Sequence, residues 1–394
     1  MMAASLVAHS PAYYIKKRLL QNTPAMVGLF FIVVALLIAL LGYAIMPDAS
    51  PNANHSIVQL QKKAPGFSVW MLRIKKQTIQ PAPTFLHKWL FGQELPYQEI
   101  PVQSFRVIDK FIRVNPYVDK RSLPDEIRIF PLNKVFGLEL SNLETQRSSS
   151  AVLQEKVKKT SLFRKTYLLG TDRAGRDVLS RLLLGTRISL SIGLIAVLIS
   201  VSLGILVGSI AGYFGGWVDK VMLFLMTVVW SIPGIMLVIA ISLAFNSRGV
   251  WVSFVAVGLT MWVDVARLVR GQFLSIKEKT YIEAGKVLGL PQSRLIFRHI
   301  LPNLIGPLIV VGTANFAAAI LMEAGLSFLG LGVQPPTPSW GMMVNEGFQL
   351  IGTRAGLYLV LLPSICISSL VLSFNLLGNG LRDAYDPKLL LNNA

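Results

Sequence analysis

The side chains that could bind a metal ion or attack a substrate are few and scattered in this chain of 394 residues. Its four histidines, His9, His55, His87 and His299, do not have the spacing of metal ligands. Its single cysteine, Cys366, lies in an apolar run, which favours a small buried hydrophobic residue over a reactive thiol. The sequence therefore predicts no metal site, no catalytic residue and no cofactor bound by this chain.

A nucleotide-binding motif is also missing from the sequence. A phosphate-binding loop reads Gly-x-x-x-x-Gly-Lys-Ser/Thr, but the one Gly-Lys pair, Gly285-Lys286, is followed by Val287. Any ATP-driven step must therefore take place on another chain.

Two polar side chains, Asn315 and Glu323, lie in a long apolar stretch and are candidates for a transport pathway. An ionisable group at membrane depth is energetically costly and usually faces a helix-bundle interior or an aqueous cavity. For Glu323 a helix–helix hydrogen bond is the simpler alternative to pathway gating or substrate contact.

The elements that must position these residues are membrane spans. Hydrophobic residues make up 53% of the chain and charged residues 15%, against about 25% charged in soluble domains. Six apolar stretches are long enough to cross about 30 Å of hydrocarbon, and they must be helical because each segment has to make its own backbone hydrogen bonds. They cover residues 25–46, 188–213, 218–245, 250–268, 304–331 and 357–377.

A polar segment, residues 47–167, separates the first two spans and is too long for a loop without structure of its own. Alternating apolar and polar residues at 105–112 and 126–130 predict short strands. No catalytic constellation is visible in the segment. The predicted fold class is an all-α membrane protein of six transmembrane helices, with a large β-containing insertion between helices 1 and 2.

Basic residues set the predicted orientation, since Lys and Arg accumulate in short cytoplasmic loops. Lys16, Lys17 and Arg18 lie in the N-terminal segment 1–24, and further basic residues lie between spans four and five and in the tail 379–394. Both termini are therefore predicted to be cytoplasmic and the insertion extracytoplasmic. The net charge of +18 then indicates membrane lipid, and not nucleic acid, as the anionic partner.

Small residues predict close helix packing in the second span. Gly204, Gly208 and Gly212 recur every four residues and form a smooth stripe on one helix face, with a pore-lining role as the alternative. Pro233 and Pro363 predict kinks in the third and sixth spans.

Charged residues flank two of the spans. Those before the second span belong to an amphipathic piece that we expect to lie on the outer membrane surface, with a gate or a docking surface as the alternative: Asp172, Arg176, Asp177 and Arg181. Those at the inner end of the fourth span predict a salt-bridged helix end: Asp264, Arg267 and Arg270.

The polar segment 268–303, between spans four and five, has a helix–turn–helix pattern. A first helix begins near Tyr281, Gly289 can end it in a left-handed conformation, and Pro291 suits the first turn of a second helix. An interfacial helix on lipid headgroups and a docking element for a partner protein both fit this pattern.

The motif Glu-Ala-Gly at 283–285, followed by Gly289 and by Leu-Pro at 301–302, resembles the cytoplasmic EAA loop of ABC importer permeases. Gly285 takes the place of the usual second alanine. Further stretches are similar, in order and spacing, to the C-type permease subunit of the dipeptide, oligopeptide and nickel branch: 169–181, 185–190, 298–303, 323–332, 339–341 and 380–387.

The resemblance covers a permease core at 168–378, while the insertion is longer than the usual outer loop. It implies a type I importer in a bacterial inner membrane, built from two permease subunits, usually a heteromeric pair, and two separate ATPase subunits that use ATP. An extracytoplasmic binding protein would deliver the substrate, a di- or oligopeptide, with glutathione and nickel chelates as alternatives. This chain would be a transport subunit and not an enzyme. The residues that would couple it to the ATPase are Tyr281, Glu283, Ala284, Gly285, Val287, Leu288, Gly289 and Leu290.

Two functions of other classes compete with this interpretation. An ion-coupled secondary carrier often has internal repeats and charges at the membrane midplane. A membrane-bound enzyme needs converging acid, base or metal residues. The sequence shows no clear two-fold repeat, few midplane charges and no such convergence.

Overall fold

The computed structural model describes residues 11–76, 84–118, 127–136, 150–245 and 249–386. Within these residues a bundle of long helices carries a five-stranded antiparallel sheet at one end. The sheet is inserted between two helices of the bundle, so both its connections lead directly into membrane-spanning segments.

The chain enters the bundle through two helices, α1 (Pro11–Gln21) and α2 (Thr23–Ile45). Asn22 separates them and caps α2, because its side-chain oxygen accepts a hydrogen bond from the backbone N–H of Ala25 at 3.1 Å. With its 23 residues, α2 is about 34 Å long, which is enough to cross the hydrocarbon core.

The described residues of the insertion form five strands and three short α-helices. In chain order these are β1 (Phe67–Lys75), α3 (Phe85–Phe91), β2 (Tyr97–Ile108), β3 (Phe111–Pro116), β4 (Arg128–Pro131), α4 (Leu132–Phe136), α5 (Ser150–Thr160) and β5 (Leu162–Tyr167). The strand order in the sheet is β4-β3-β2-β1-β5, and every neighbouring pair is antiparallel.

The predicted strand at 105–112 is wrong as a single element, because it contains a hairpin turn. Strand β2 ends at Ile108 and β3 begins at Phe111, with Asp109 at a φ of +48° between them. Asp is one of the few residue types that tolerate this left-handed region, so a tight turn fits there. The second predicted strand, 126–130, overlaps β4, although residue 126 lies outside the described part of the chain.

The two faces of the sheet have different partners. One face packs against α4 and α5 in a cluster that includes Leu72 and Ile112 of the sheet and Val157 of α5. On the opposite face, Val69 and Met71 pack on the segment that follows α2. The second contact attaches the sheet to the bundle.

A glycine allows the closest backbone approach at this attachment. Gly175 has a φ of +78°, and a Cβ atom there would lie 2.0 Å from the carbonyl oxygen of Ile57. Any side chain at this position would therefore separate the insertion from the start of the next long helix.

The rest of the bundle follows the sheet. Its helices are α6 (Val178–Phe214), α7 (Gly216–Ser231), α8 (Gly234–Ala244), α9 (Val250–Lys277), α10 (Thr280–Val287), α11 (Gln292–Arg294), α12 (Ile305–Phe328), α13 (Trp340–Phe348) and α14 (Arg354–Tyr385). A π-helical turn and a 3-10 turn join α11 to α12 without a loop: Leu295–Ile300 and Leu301–Leu304.

Five helical segments of the described chain are long and apolar enough to cross a membrane: Thr23–Ile45, Val178–Phe214, Val250–Lys277, Gln292–Phe328 and Arg354–Tyr385. The predicted third span, 218–245, is instead a pair of helices, α7 and α8, bent by 92°. The break falls at Ile232 and Pro233, where proline has no N–H for the helix and disfavours helical geometry in the preceding residue. Pro363 lies within the continuous α14.

The two ends of the bundle carry different structures. At one end α1 meets the last turn of α14, where a guanidinium nitrogen of Arg18 lies 3.5 Å from the carbonyl oxygen of Asp386. A crevice at this same end is lined by Gln272 and Arg382, near the ends of α9 and α14, and by Asn303 of the 3-10 turn before α12. The sheet occupies the opposite end, between the last turn of α2 and the first turn of α6.

Candidate functional site

The turn between α10 and α11 is closed by backbone hydrogen bonds. The N–H of Leu290 donates to the carbonyl of Gly285 at 3.1 Å, and the N–H of Gly289 donates to that of Lys286 at 3.0 Å. This pair of bonds is a Schellman motif, and it places Gly289 at a φ of +73°. We call residues 280–300 the elbow.

The elbow has a buried base. Ile282, Leu295 and Ile300 have almost no solvent exposure, and Ile282 and Ile300 pack with Phe273 and Ile276 of α9. The elbow is therefore attached to the end of a membrane-spanning helix by apolar packing.

Gly285 lies inside this base, at the position where the family usually has alanine. A Cβ atom there would lie 3.0 Å from Leu295 Cδ2 and 3.3 Å from Leu290 Cδ1. Both neighbours are the ends of flexible side chains, so an alanine would fit after a small adjustment.

The tip of the elbow is apolar and exposed. The exposed fraction is 88% for Val287, 80% for Leu288 and 71% for Phe297. Tyr281, Glu283, Ala284 and Gly289 are also exposed, whereas Gly285 is buried and Leu290 is half-buried. Six of the eight predicted coupling residues are thus exposed, and a concentration of exposed apolar side chains is typical of an interaction site.

The glycine stripe of α6 lies directly against α9. Cβ atoms at Gly204, Gly208 and Gly212 would lie 2.4 Å from Val265 Cβ, 2.4 Å from the Ala266 oxygen and 2.5 Å from Phe273 Cβ. The absence of these side chains allows α6 and α9 to pack closely, and Phe273 also belongs to the base of the elbow.

At the sheet-bearing end, four charged residues form a buried network: Asp172, Arg176, Arg181 and Glu346. Arg176 Nε lies 2.7 Å from Asp172 Oδ2, and Arg176 Nη2 lies 2.9 Å from Glu346 Oε1. Arg181 Nη1 lies 2.9 Å from Glu346 Oε2 and also donates to Asp172 Oδ2. Two positive and two negative charges compensate each other, as buried charges require.

This charge network corrects the expected interfacial helix. Residues 172–177 form a loop, α6 begins at Val178, and the exposed fraction of Arg181 is close to zero. The charges face inward because Glu346 of α13 provides a partner. Sequence reasoning missed Glu346, although its place as the one charged residue of α13 was the available signal.

The charges also determine the protonation of Asp172. Burial raises the pKa of its carboxyl group, but Arg181, Arg176 and two backbone N–H groups together lower it below the ordinary value. The carboxylate is therefore ionised over the physiological pH range, and it holds both arginines at the entrance to α6.

Two known protein families match this chain. A family model described as binding-protein-dependent transport system inner membrane component matches residues 204–391. A second, described as N-terminal TM domain of oligopeptide transport permease C, matches residues 10–65. All five described strands of the sheet lie between the two matched ranges.

Named relatives agree with the family models. A glutathione transport system permease protein, GsiD of Pectobacterium atrosepticum, is 43% identical over 225 residues, which are 57% of this chain and 73% of that protein. The oligopeptide permease OppC of Escherichia coli K12 is 43% identical over 222 residues, 56% of this chain and 72% of the relative. The dipeptide permease DppC of Bacillus subtilis is 42% identical over 223 residues, 57% and 69% of the two chains.

The chain belongs to the ABC importer permeases. The predicted family, the dipeptide, oligopeptide and nickel branch with its C-type subunit, is confirmed. The permease is a transmembrane transport subunit of the bacterial inner membrane and not an enzyme. A solved structure of the MetNI methionine ABC transporter, in an inward-facing conformation, aligns with a TM-score of 0.44 at 17% identity, over 53% of this chain and 98% of that chain.

The pathway candidates of the permease are buried on α12. Glu323 Oε1 accepts a hydrogen bond from Ser327 Oγ at 2.7 Å, and Ser327 Oγ lies 3.4 Å from Ser339 Oγ, which caps α13. Asn315 lies two helical turns earlier and is also buried. In the described residues Glu323 joins α12 to α13, and a role for either residue in the pathway stays a prediction.

The expected salt bridge at the inner end of the fourth span has a different partner. Arg270 Nε lies 2.5 Å from Asp219 Oδ1 and its Nη2 lies 2.7 Å from Asp219 Oδ2, a bidentate pair between α9 and α7. Arg267 lies over the Trp230 ring at 4.5 Å. Both contacts attach the broken helix pair to α9 and therefore to the base of the elbow.

Proposed function

We propose that this permease and a second, homologous permease subunit form a peptide pathway across the inner membrane. Two ATPase subunits would drive transport, one of them docking on the elbow of this chain, and an extracytoplasmic binding protein would deliver the substrate. The observation that carries the proposal is the apolar tip of the elbow, exposed on a base that is packed firmly on α9.

The proposed topology counts α7 and α8 as one broken span, which makes six. The N-terminus, the elbow and the C-terminus then lie in the cytoplasm, and the sheet lies outside. The position of α1, the elbow and the end of α14 at one end of the bundle supports this arrangement.

The proposed mechanism is a population shift. ATP brings the partner ATPases together, and this closed state has a higher affinity for one of two pathway conformations. The elbow transmits the preference because its base and α9 move as one packed unit. ATP is bound by the partner subunits, and no cofactor is needed on this chain.

The proposed substrate is a di- or oligopeptide. The relatives named above are permeases for glutathione, dipeptides and oligopeptides, and all of these are compounds with peptide bonds. Nickel chelates are the alternative within the same branch.

Reconstitution into proteoliposomes tests the proposal. Uptake of a labelled peptide should require ATP, the second permease, the ATPases and the binding protein, and it should survive collapse of the ion gradients. Uptake that follows an ion gradient in the absence of the ATPases would contradict the proposal and would favour an ion-coupled carrier.

A further inference from the structure

Helix α3 exposes large apolar side chains at the sheet-bearing end of the bundle. The exposed fraction is 84% for Phe85, 61% for Leu86 and 59% for Phe91, and no residue of this seven-residue helix is buried. A helix with this composition would be unfavourable in contact with water, which implies that something covers it.

The bundle holds α3 beside the last turns of α2. Gly92, which follows α3, packs so closely on Tyr43 that a Cβ atom would lie 2.6 Å from its ring. The N–H of Gln93 donates to the Ala49 carbonyl at 3.0 Å. Helix α3 is therefore fixed at the level where α2 ends its apolar stretch, which is the level of the lipid headgroups.

Arg187 of α6 strengthens this attachment. Its Nε donates to the Ala39 carbonyl at 3.0 Å and its Nη1 donates to the Leu90 carbonyl at 2.9 Å. Its guanidinium lies 5.7 Å from the centre of the Trp89 ring. Among the residues that the structure describes, no carboxylate forms an ion pair with Arg187.

An apolar crevice of about 450 Å³ opens beneath α3, between α2, α6, α12 and α14. Trp89 and Leu90 line its end at α3, and Arg187 is its one charged lining residue. Its walls include Leu36, Leu40, Leu190, Leu194, Phe316 and Phe374.

We propose that α3 and this crevice bind an anionic phospholipid of the leaflet on the side of the sheet. An acyl chain occupies the crevice, the phosphate lies near Lys88 and Arg187, and Phe85, Leu86 and Phe91 enter the headgroup layer. Lipid is the occupant because the exposed face of α3 continues the exposed apolar surface of α2, and because α3 carries Lys88 and no acidic residue. The site thereby attaches the insertion to the membrane surface.

Fluorescence quenching tests whether lipid covers α3. The single native cysteine is removed by Cys366→Ala, and an NBD label is placed at Leu86→Cys or, as a control, at Val152→Cys, an exposed position on α5. In nanodiscs that contain lipids with a doxyl group near the headgroup, the label at residue 86 should lose at least half of its emission and the control almost none. Equal behaviour of the two labels would overturn the proposal.

The same pair of labels distinguishes lipid from protein. If the second permease subunit covers α3, quenching at residue 86 disappears when the complete transporter is assembled, and the proposal is wrong. Quenching that persists in the assembled transporter supports it.

Native mass spectrometry tests the anionic headgroup. Permease extracted from membranes of phosphatidylcholine and phosphatidylglycerol should retain phosphatidylglycerol, and Lys88→Gln should weaken this retention about five-fold. The matched control is Lys158→Gln on α5, which should change nothing. Equal retention by the wild type and by Lys88→Gln would contradict an anionic lipid at this site.

Discussion

The two ends of the bundle distribute their residues in opposite ways. At the elbow, apolar side chains such as Val287 and Leu288 are exposed, whereas at the sheet-bearing end the charged side chains of Arg181 and Glu346 are buried. Each arrangement reverses the usual distribution of residue types between surface and interior. The charge network finds its compensation within the chain, and under the proposed function the elbow finds its partner in an ATPase subunit.

This difference predicts that substitutions in the charge network change stability, whereas substitutions at the tip of the elbow change function. Breaking a buried ion pair leaves an uncompensated charge in a medium of low polarity, so the charge network should make a large contribution to folding. Exposed side chains at the elbow lose little on unfolding, so their replacement should affect transport alone.

The largest effect is expected for Arg181→Ala. Asp172 and Glu346 would then share one arginine, and the free energy of unfolding should fall by about 3–5 kcal/mol. Denaturant unfolding in detergent micelles measures this change. Arg173→Ala is the control, because Arg173 belongs to the same loop but is exposed, and it should change the value by less than about 0.5 kcal/mol. Equal values for the two variants would show that the network does not stabilise the fold.

The next effect concerns the elbow. Leu288→Glu should leave the free energy of unfolding unchanged within about 0.5 kcal/mol. It should reduce peptide uptake and substrate-stimulated ATP hydrolysis at least ten-fold, because it places a charge in an apolar interface. Val58→Glu is a matched control, since Val58 is also an exposed apolar residue but lies in the insertion. Normal coupling in Leu288→Glu would contradict the proposed docking surface.

A smaller effect is expected when alanine replaces either of two glycines, which both have free space around the missing side chain. Gly289 has a φ of +73°, whereas Gly271 lies within the regular helix α9. Gly289→Ala should therefore cost about 1–2 kcal/mol, while Gly271→Ala should stabilise by about 0.5–1 kcal/mol. In thermal unfolding, Gly289→Ala should lower the melting temperature and Gly271→Ala should raise it. A change in the same direction for both variants would contradict this account of the turn.

The smallest effect depends on pH. Burial lowers the pKa of His55, Lys165 and Lys76 lower it further, and Glu99 and Asp48 only partly oppose them. Because the folded-state pKa lies below the unfolded value of 6.5, unfolded chains bind a proton first. The contribution of His55 to the free energy of unfolding should be fully present above pH 6.5. It should be lost as the pH drops from there toward the folded-state pKa.

His55→Gln is the control for this pH dependence. The free energies of unfolding of the wild type and the variant are compared at pH 7.5 and at lower pH values. The variant should lose the part of the pH dependence that begins near 6.5. Unchanged pH dependence in the variant would assign the effect to another group.

Local chemistry made part of this structure predictable. The apolar stretches predicted the spans because hydrocarbon permits few alternatives to a helix, and Gly289 with Pro291 predicted the turn of the elbow because its geometry depends on neighbouring residues. The division of exposed and buried residues at the elbow follows from the same helical pattern.

Contacts between distant residues were not predictable in this way. Glu346 is 170 residues from Arg176 and 165 from Arg181, so nothing in the local pattern of α13 indicates which charge it meets. Pro233 predicted a kink, but the sequence did not predict that the bend would reach 92°. The hairpin at Asp109 depends on backbone geometry that periodicity does not register. Arg270 likewise pairs with Asp219 of another helix, and not with Asp264 on its own helix.

Protection of a single thiol tests the central claim most directly. Val287→Cys, in a chain that also carries Cys366→Ala, places a reactive group on the most exposed apolar side chain of the elbow. A water-soluble maleimide should label it rapidly in the isolated permease and at least ten times more slowly once the ATPase subunits are assembled. Labelling at the same rate in both states would show that the elbow contacts no partner and would contradict the account.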